Sequence, residues 1–199
     1  MLQLLTQLPD KINHQVNRSN AVIDMMLASA RMENIDTSDF AWHSVKACVL
    51  EALETYPFTP PEKANVRLID ERDFDFYGSR PLFIFVLFNL LKNSLYAIKA
   101  ARKGDVSITI ASDADCHALT FTDTASGIPA ANLPYIFDTF YSTKKSAGVG
   151  IGLAFCRRAI SSFGGQMFCA SVEGQYTTLT LRFAPSRQAT QRKATELVE

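Results

Sequence analysis

Phe88-Asn89-Leu90-Leu91-Lys92-Asn93-Ser94 is the stretch on which the reading of this chain turns. Its surroundings are apolar: Leu82, Phe83, Phe85, Val86 and Leu95. Pro81 sits where the first turn of a helix tolerates proline, so a helix is expected to open there. Asn89 and Asn93 are four residues apart and would project from one face, one turn from each other. A helix this apolar belongs in a core, where unpaired amides are costly. Two explanations stand open on these residues alone. The amides form a satisfied hydrogen-bond network, or their oxygens serve a hard cation such as Mg²⁺.

Downstream, period-two patterns mark strands: Val106, Ile108 and Ile110; then Leu119 and Phe121, leading to Asp123. Later come Phe168, Ala170 and Val172, then Leu179, Leu181 and Phe183. Residues 149–163 read as a helix closed by Gly164-Gly165. Upstream, Val45, Cys48, Val49, Ala52 and Leu53 share one helical face, and Pro57, Pro60 and Pro61 end it. Val66 and Leu68 suggest a short strand. Strands paired as hairpins, with helices on one side, predict an α+β fold, a two-layer α/β sandwich and not a doubly wound sheet.

The ends differ from this middle. Leu5, Leu8, Ile12, Val16, Ser19, Ile23, Met26 and Ala30 alternate in steps of three and four, the a/d stripe of a bundle helix. Nothing later repeats it, so its partner is expected outside the chain. Residues 33–41 are polar and aperiodic, a linker. Three parts are expected: a bundle-type helix over 1–34, a catalytic domain over 35–185, and a polar tail or linker over 186–199.

Composition excludes more than it selects. With 199 residues there is ample chain for a core. Twenty basic residues balance twenty acidic ones, so nothing points to nucleic acid. No apolar run is expected to reach the roughly 18 residues that span a bilayer. Cys48, Cys116, Cys156 and Cys169 lack metal-site spacing and read as reduced thiols.

Three further segments carry chemistry. Asp123 ends a strand before Thr124-Ala125-Ser126-Gly127-Ile128, where a carboxylate can accept from an exocyclic amine. Gly148-Val149-Gly150-Ile151-Gly152-Leu153 opens a helix, and its backbone N–H groups suit phosphate oxygens. It has neither the βαβ context of a dinucleotide fingerprint nor the Gly-Lys-Ser/Thr of a P-loop. Between them, Phe137, Phe140, Thr143 and Lys144 read as a lid loop, anchored by aromatics and bearing a lysine for a terminal phosphate.

Taken in order, these segments resemble the ATP-binding domain of sensor histidine kinases, in the GHKL superfamily with its Bergerat fold. Residues 89–93 match the N box, 123–127 the G1 box, 137–144 the F box and 148–153 the G2 box. Gly174-Gln175-Tyr176-Thr177-Thr178 is similar to the last box, whose threonine lies near adenine. The likeness covers about residues 40–185. Upstream, Val22-Ile23-Asp24-Met25-Met26-Leu27 resembles the second helix of the dimerisation and phosphoacceptor hairpin. The run Gly152-Leu153-Ala154-Phe155-Cys156-Arg157 resembles hybrid quorum-sensing kinases of the CqsS type.

The resemblance implies ATP and Mg²⁺ as cofactors, and transfer of the γ-phosphoryl group to a histidine outside this fragment. It assigns Asn89, Lys92 and Lys144 to catalysis, and Asn93 with Asn89 to the metal. The nucleotide set is Asn89, Lys92, Asn93, Tyr96, Asp123, Gly127, Ile128, Phe140, Thr143, Lys144, Gly148, Val149, Gly150, Gly152, Leu153, Thr177 and Thr178. Two positions depart from the pattern: Ala125 replaces the first G1 glycine and Tyr176 a later one. Ala125 keeps the pocket open if its φ is negative; Tyr176 is expected either to close over the base or to narrow the pocket. Implied partners are a phosphoacceptor helix, in the same or a partner protomer, and a response regulator or receiver domain. A homodimer is implied for the intact protein and a monomer for the fragment. Cytoplasmic placement, as part of a membrane-bound sensor, is implied as well.

His14 is a poor phosphoacceptor, because Gln15 follows where the family places an acid. His43 and His117 read as boundary and surface residues. Two rival readings remain: a GHKL ATPase of the gyrase, MutL or chaperone type, and a degenerate nucleotide-binding scaffold. The first expects Glu where this chain has Asn89, and an amide cannot take a proton from water.

Overall fold

The computed structural model describes residues 35, 37–114, 116–143 and 150–185. The expected bundle helix, His14 and the tail lie outside these residues, as do Lys144, Gly148 and Val149.

Strand β1 (Ala41–Ser44) runs directly into helix α1 (Val45–Thr55). Ser44 accepts from the Ala47 N–H at 2.9 Å, an N-cap that starts the helix where the strand stops. A short helix α2 (Pro60–Ala64) follows, opened by a Thr59–Glu62 capping box. Then come β2 (Val66–Glu71), β3 (Asp75–Gly78) and the long α3 (Arg80–Ala101). The hairpin β4 (Val106–Ser112) and β5 (His117–Asp123) leads through a 3₁₀ turn at Leu133–Tyr135 to α4 (Gly152–Ser162). β6 (Gln166–Val172) and β7 (Tyr176–Phe183) end the domain.

Five strands form one sheet in the order β2-β4-β5-β7-β6. β2 runs parallel to β4 and the other pairs are antiparallel. β1 and β3 make a separate antiparallel ribbon. α1 and α4 flank α3, and the inward residues Ile108, Ile110, Leu119, Phe121 and Leu181 are fully buried beneath them. On the outer face threonine hydroxyls pair across strands: Thr122 to Thr178 at 2.9 Å and Thr120 to Thr180 at 3.5 Å. This is the two-layer α/β sandwich expected.

Three expectations change. The segment read as a linker ends in β1, and β3 was not anticipated; each has only four residues, too few to show a period. On β6 the apolar set Phe168, Ala170 and Val172 faces outward, while Met167, Cys169 and Ser171 point toward the helices. Both sets are mostly uncharged, so alternation alone could not choose the buried face. Finally, α3 spans 22 residues and is, among the described residues, long and apolar enough to cross a membrane. Its Phe83, Val86, Leu87, Leu90, Leu91, Leu95 and Ile98 are instead buried in this core.

Candidate functional site

Along α3, residues at i, i+4 and i+7 form one stripe that emerges from the core. Asn89 is 3% exposed, Asn93 half-buried and Tyr96 39% exposed. Lys92 lies beside Asn93 and is half-buried too. The two amides therefore differ. Asn89 Nδ2 donates to the Phe85 carbonyl, one turn back, at 3.0 Å. That bond fixes the amide's orientation and leaves Oδ1 toward the start of α4. A Cβ on Gly152 would lie 2.9 Å from this oxygen, so glycine is what lets α4 begin against α3. Helix contact is completed by Phe85 and Phe155, edge to face at 5.0 Å.

Asp123, at the end of β5, is 4% exposed. Loss of water raises its pKa above the usual carboxylate value, while hydrogen bonds from the Ala125 N–H and the Ser94 hydroxyl oppose that rise. Ser94 follows Asn93 directly on α3 and is itself buried, so one helix touches both the amide stripe and the carboxylate. Thr177 stands directly across the ladder from Asp123, and Ser171 directly across from Thr177. Ser171 Oγ contacts the Tyr176 carbonyl at 2.6 Å, the Ile128 N–H at 2.7 Å and the Thr177 hydroxyl at 3.2 Å. Cys169, one inward step along β6, has its thiol pushed up to about 11, chiefly by burial and secondarily by the Asp123 charge.

The turn after β5 lies on the end of β6. Gly127 has φ +62°, and a Cβ there would come within 2.1 Å of the Val172 carbonyl oxygen. Ala125 is fully buried. Among the described residues the non-glycines with positive φ are Arg102 and Phe140, so Ala125 meets the condition set for it.

Only part of the aromatic anchor expected for the lid is present. Phe137 packs on the core with the Arg157 guanidinium 5.4 Å from its ring centroid. Phe140 is 72% exposed, with φ +68°. Its N–H donates to the Gly150 carbonyl at 3.0 Å. At φ +74°, Gly150 sits where a Cβ would be 2.6 Å from the Tyr141 carbonyl oxygen. Residues 140–141 and 150 thus close a neck, with Thr143 exposed beyond it.

The structure brings together Asp123, Ile128 and Thr177, and separately Asn89 and Gly152, with Asn93 on the stripe between. Leu153 packs at the edge of the core. It does not bring Thr178 to them. Pleating turns Thr178 to the outer face, against Thr122. Tyr176 shares that parity and so lies on the opposite face of β7 from Thr177. Ser94 and Ser171 were missed. Adjacency to Asn93 was the available signal for the first, and correct strand parity would have revealed the second. No group of three His, Cys, Asp or Glu side chains that could hold a metal occurs among the described residues. His117 stacks on Phe74 at 4.8 Å and His43 lies against Phe76, both structural contacts.

Residues 78–187 match the family model for histidine kinase-, DNA gyrase B- and HSP90-like ATPases. The chain belongs to that family of ATP-binding domains. It is 34% identical to the CAI-1 autoinducer sensor kinase/phosphatase CqsS of Vibrio cholerae serotype O1, over 92% of this chain and 26% of that protein. It is 31% identical to the autoinducer 1 sensor kinase/phosphatase LuxN of Vibrio campbellii, over 84% of this chain and 20% of that one. The chain thus spans about a quarter or less of these curated relatives. The catalytic domain of histidine kinase ThkA superposes with a TM-score of 0.59 at 22% identity, covering 73% of this chain and 95% of that domain. The fold is therefore that of the histidine kinase catalytic domain it superposes on, and the curated relatives it resembles are sensor kinases.

Proposed function

We propose that this chain binds Mg-ATP and presents the γ-phosphoryl group to a histidine on another segment, as the catalytic module of a two-component sensor kinase. The observation that carries this reading is the layout along α3. Ser94 holds the Asp123 carboxylate, and Asn89, five residues earlier, meets the start of α4 at Gly152. The separation along the axis is about 7.5 Å, the scale of a nucleoside. Asp123 and Thr177 would take the base at one end, and Ile128 the close backbone approach. At the other end Asn93, Lys92, Gly150 and Gly152 would take the phosphates, with Gly150 and Phe140 closing a neck next to Thr143; Lys144, Gly148 and Val149, outside the described residues, would contribute as the resemblance implies.

The donor set fits a hard cation. Asn89 Oδ1 and the Asn93 amide on the same stripe are neutral oxygen donors, suited to an ion that takes its remaining ligands from phosphates and water. Asn93, the more exposed of the two, is the better candidate for direct ligation, and Asn89 for positioning. Bound there, Mg²⁺ would neutralise phosphate charge. The protein's own part is to hold base and phosphates in register and to shut out water. Asn89 cannot act as a general base, which favours transfer to a protein side chain over hydrolysis.

The acceptor histidine and a response regulator or receiver domain are the partners of this scheme. A homodimer built through the upstream helix and a cytoplasmic position in a membrane-bound sensor accompany it. The test supplies Mg-ATP and a histidine-bearing hairpin helix in trans. Phosphorylation of the hairpin, lost in Asn93→Ala, supports the scheme. Steady hydrolysis with no transfer to the hairpin would sink it.

A further inference from the structure

One hydroxyl on β6 carries three hydrogen bonds, and their directions can be worked out by counting protons. Ser171 donates its only proton to the Tyr176 carbonyl at 2.6 Å. Its remaining contacts must then use Oγ as an acceptor. One is the Ile128 N–H at 2.7 Å. The other is the Thr177 hydroxyl at 3.2 Å, which must be the donor. Thr177 also has a single proton, so only its lone pairs are left for anything else nearby. Across the ladder, the Asp123 carboxylate accepts from the Ala125 N–H at 3.3 Å and from Ser94. The two groups facing each other across this rung, the Asp123 carboxylate and the Thr177 hydroxyl oxygen, therefore present acceptors alone.

We propose that Ser171 is a positioning residue for base selection. By holding Thr177 as an acceptor, it makes Asp123 and Thr177 favour a base edge bearing an exocyclic amine over one bearing a carbonyl oxygen. This rests on the nucleotide-binding reading above and adds a specificity device to it. The same Oγ tethers Ile128, so base selection and the seating of the Gly127 turn depend on one side chain.

The test compares Mg-ATP with Mg-ITP, in which a 6-oxo group replaces the 6-amino group, by calorimetry on the full chain. Wild type is expected to bind ATP more tightly. Ser171→Ala frees the Thr177 proton to rotate toward the base, and the ATP-to-ITP ratio is expected to narrow roughly tenfold, the effect of one hydrogen bond of about 1.4 kcal/mol. Ser171→Thr keeps a hydroxyl and restores the ratio. Thr177→Val narrows it with Ser171 left in place, and adding Ser171→Ala to that variant changes it no further. An equal loss of both nucleotides in Ser171→Ala, with the ratio intact, overturns the proposal and leaves nucleotide binding standing. Wild type binding neither nucleotide overturns both.

Discussion

Asp123 illustrates how a site residue burdens the fold that holds it. Burial raises its pKa above the unfolded value near 3.8, so folding takes up a proton in the window just above that value. The ionised carboxylate therefore costs stability above the window, and the cost is relieved as pH falls through the folded pKa. Replacing it with asparagine removes the charge and keeps an acceptor oxygen. We expect Asp123→Asn to leave the urea midpoint at pH 7 no lower than wild type, while ATP affinity by calorimetry falls roughly 10- to 100-fold, the 1.5–3 kcal/mol of a bond to a charged group. Gly152 offers a complementary case. A methyl there meets Asn89 Oδ1, so Gly152→Ala should destabilise by about 1–3 kcal/mol. Asn89→Ala should offset part of that loss in the double variant, and additive denaturation energies would refute the contact.

At the scale of elements, the sequence was most legible where a period persisted. α3 and the strands β4, β5 and β7 each repeat their pattern long enough to declare both type and buried face. β1 and β3 are too short for that, and β6 carries usable apolar residues on both sides. That ambiguity on β6 reaches the site: with no buried face declared by the alternation, nothing marked Ser171 as turned toward the helices. Thr178 parts from Thr177 for a related reason, since neighbours in a strand are grouped by sequence and separated by the pleat. Asp123, Asn89 and Gly152 were legible because each lies where an element begins, ends or touches another. The α3–α4 contact sets a further expectation. Phe155 is 2% exposed, and Phe155→Ala should cost about 3–5 kcal/mol in chemical denaturation. Phe140 is 72% exposed, so Phe140→Ala should change stability by less than about 0.5 kcal/mol. A weaker ATP affinity in that variant would then belong to the neck and not to unfolding.

For the whole molecule, the two buried thiols report on cohesion. Cys156 is fully buried and its thiol is pushed well above the ordinary value by loss of water; Cys48 is pushed up to about 11 mainly by the same cause. Both should alkylate only through opening of the domain. ATP should slow their modification by a factor approaching one plus the ratio of its free concentration to Kd, followed by mass spectrometry. Modification of Cys156 at a rate indifferent to ATP would contradict the coupling of nucleotide to the core. The ladder that sets Asp123 opposite Thr177 has a separate consequence, for the order of assembly. Its neighbouring pair Thr122 and Thr178 meets across 56 residues of chain, and Ile128 reaches Ser171 across 43. Closing such loops costs entropy before any contact repays it, so pairings of this span form late. The β4–β5 hairpin can collapse early on local contacts, but the two sides of the base wall come together only once the chain through α4 and β6 has brought β7 alongside β5. A nascent or refolding chain therefore has no nucleotide site to offer until the sheet is nearly complete, and ATP can trap the finished fold but cannot template it.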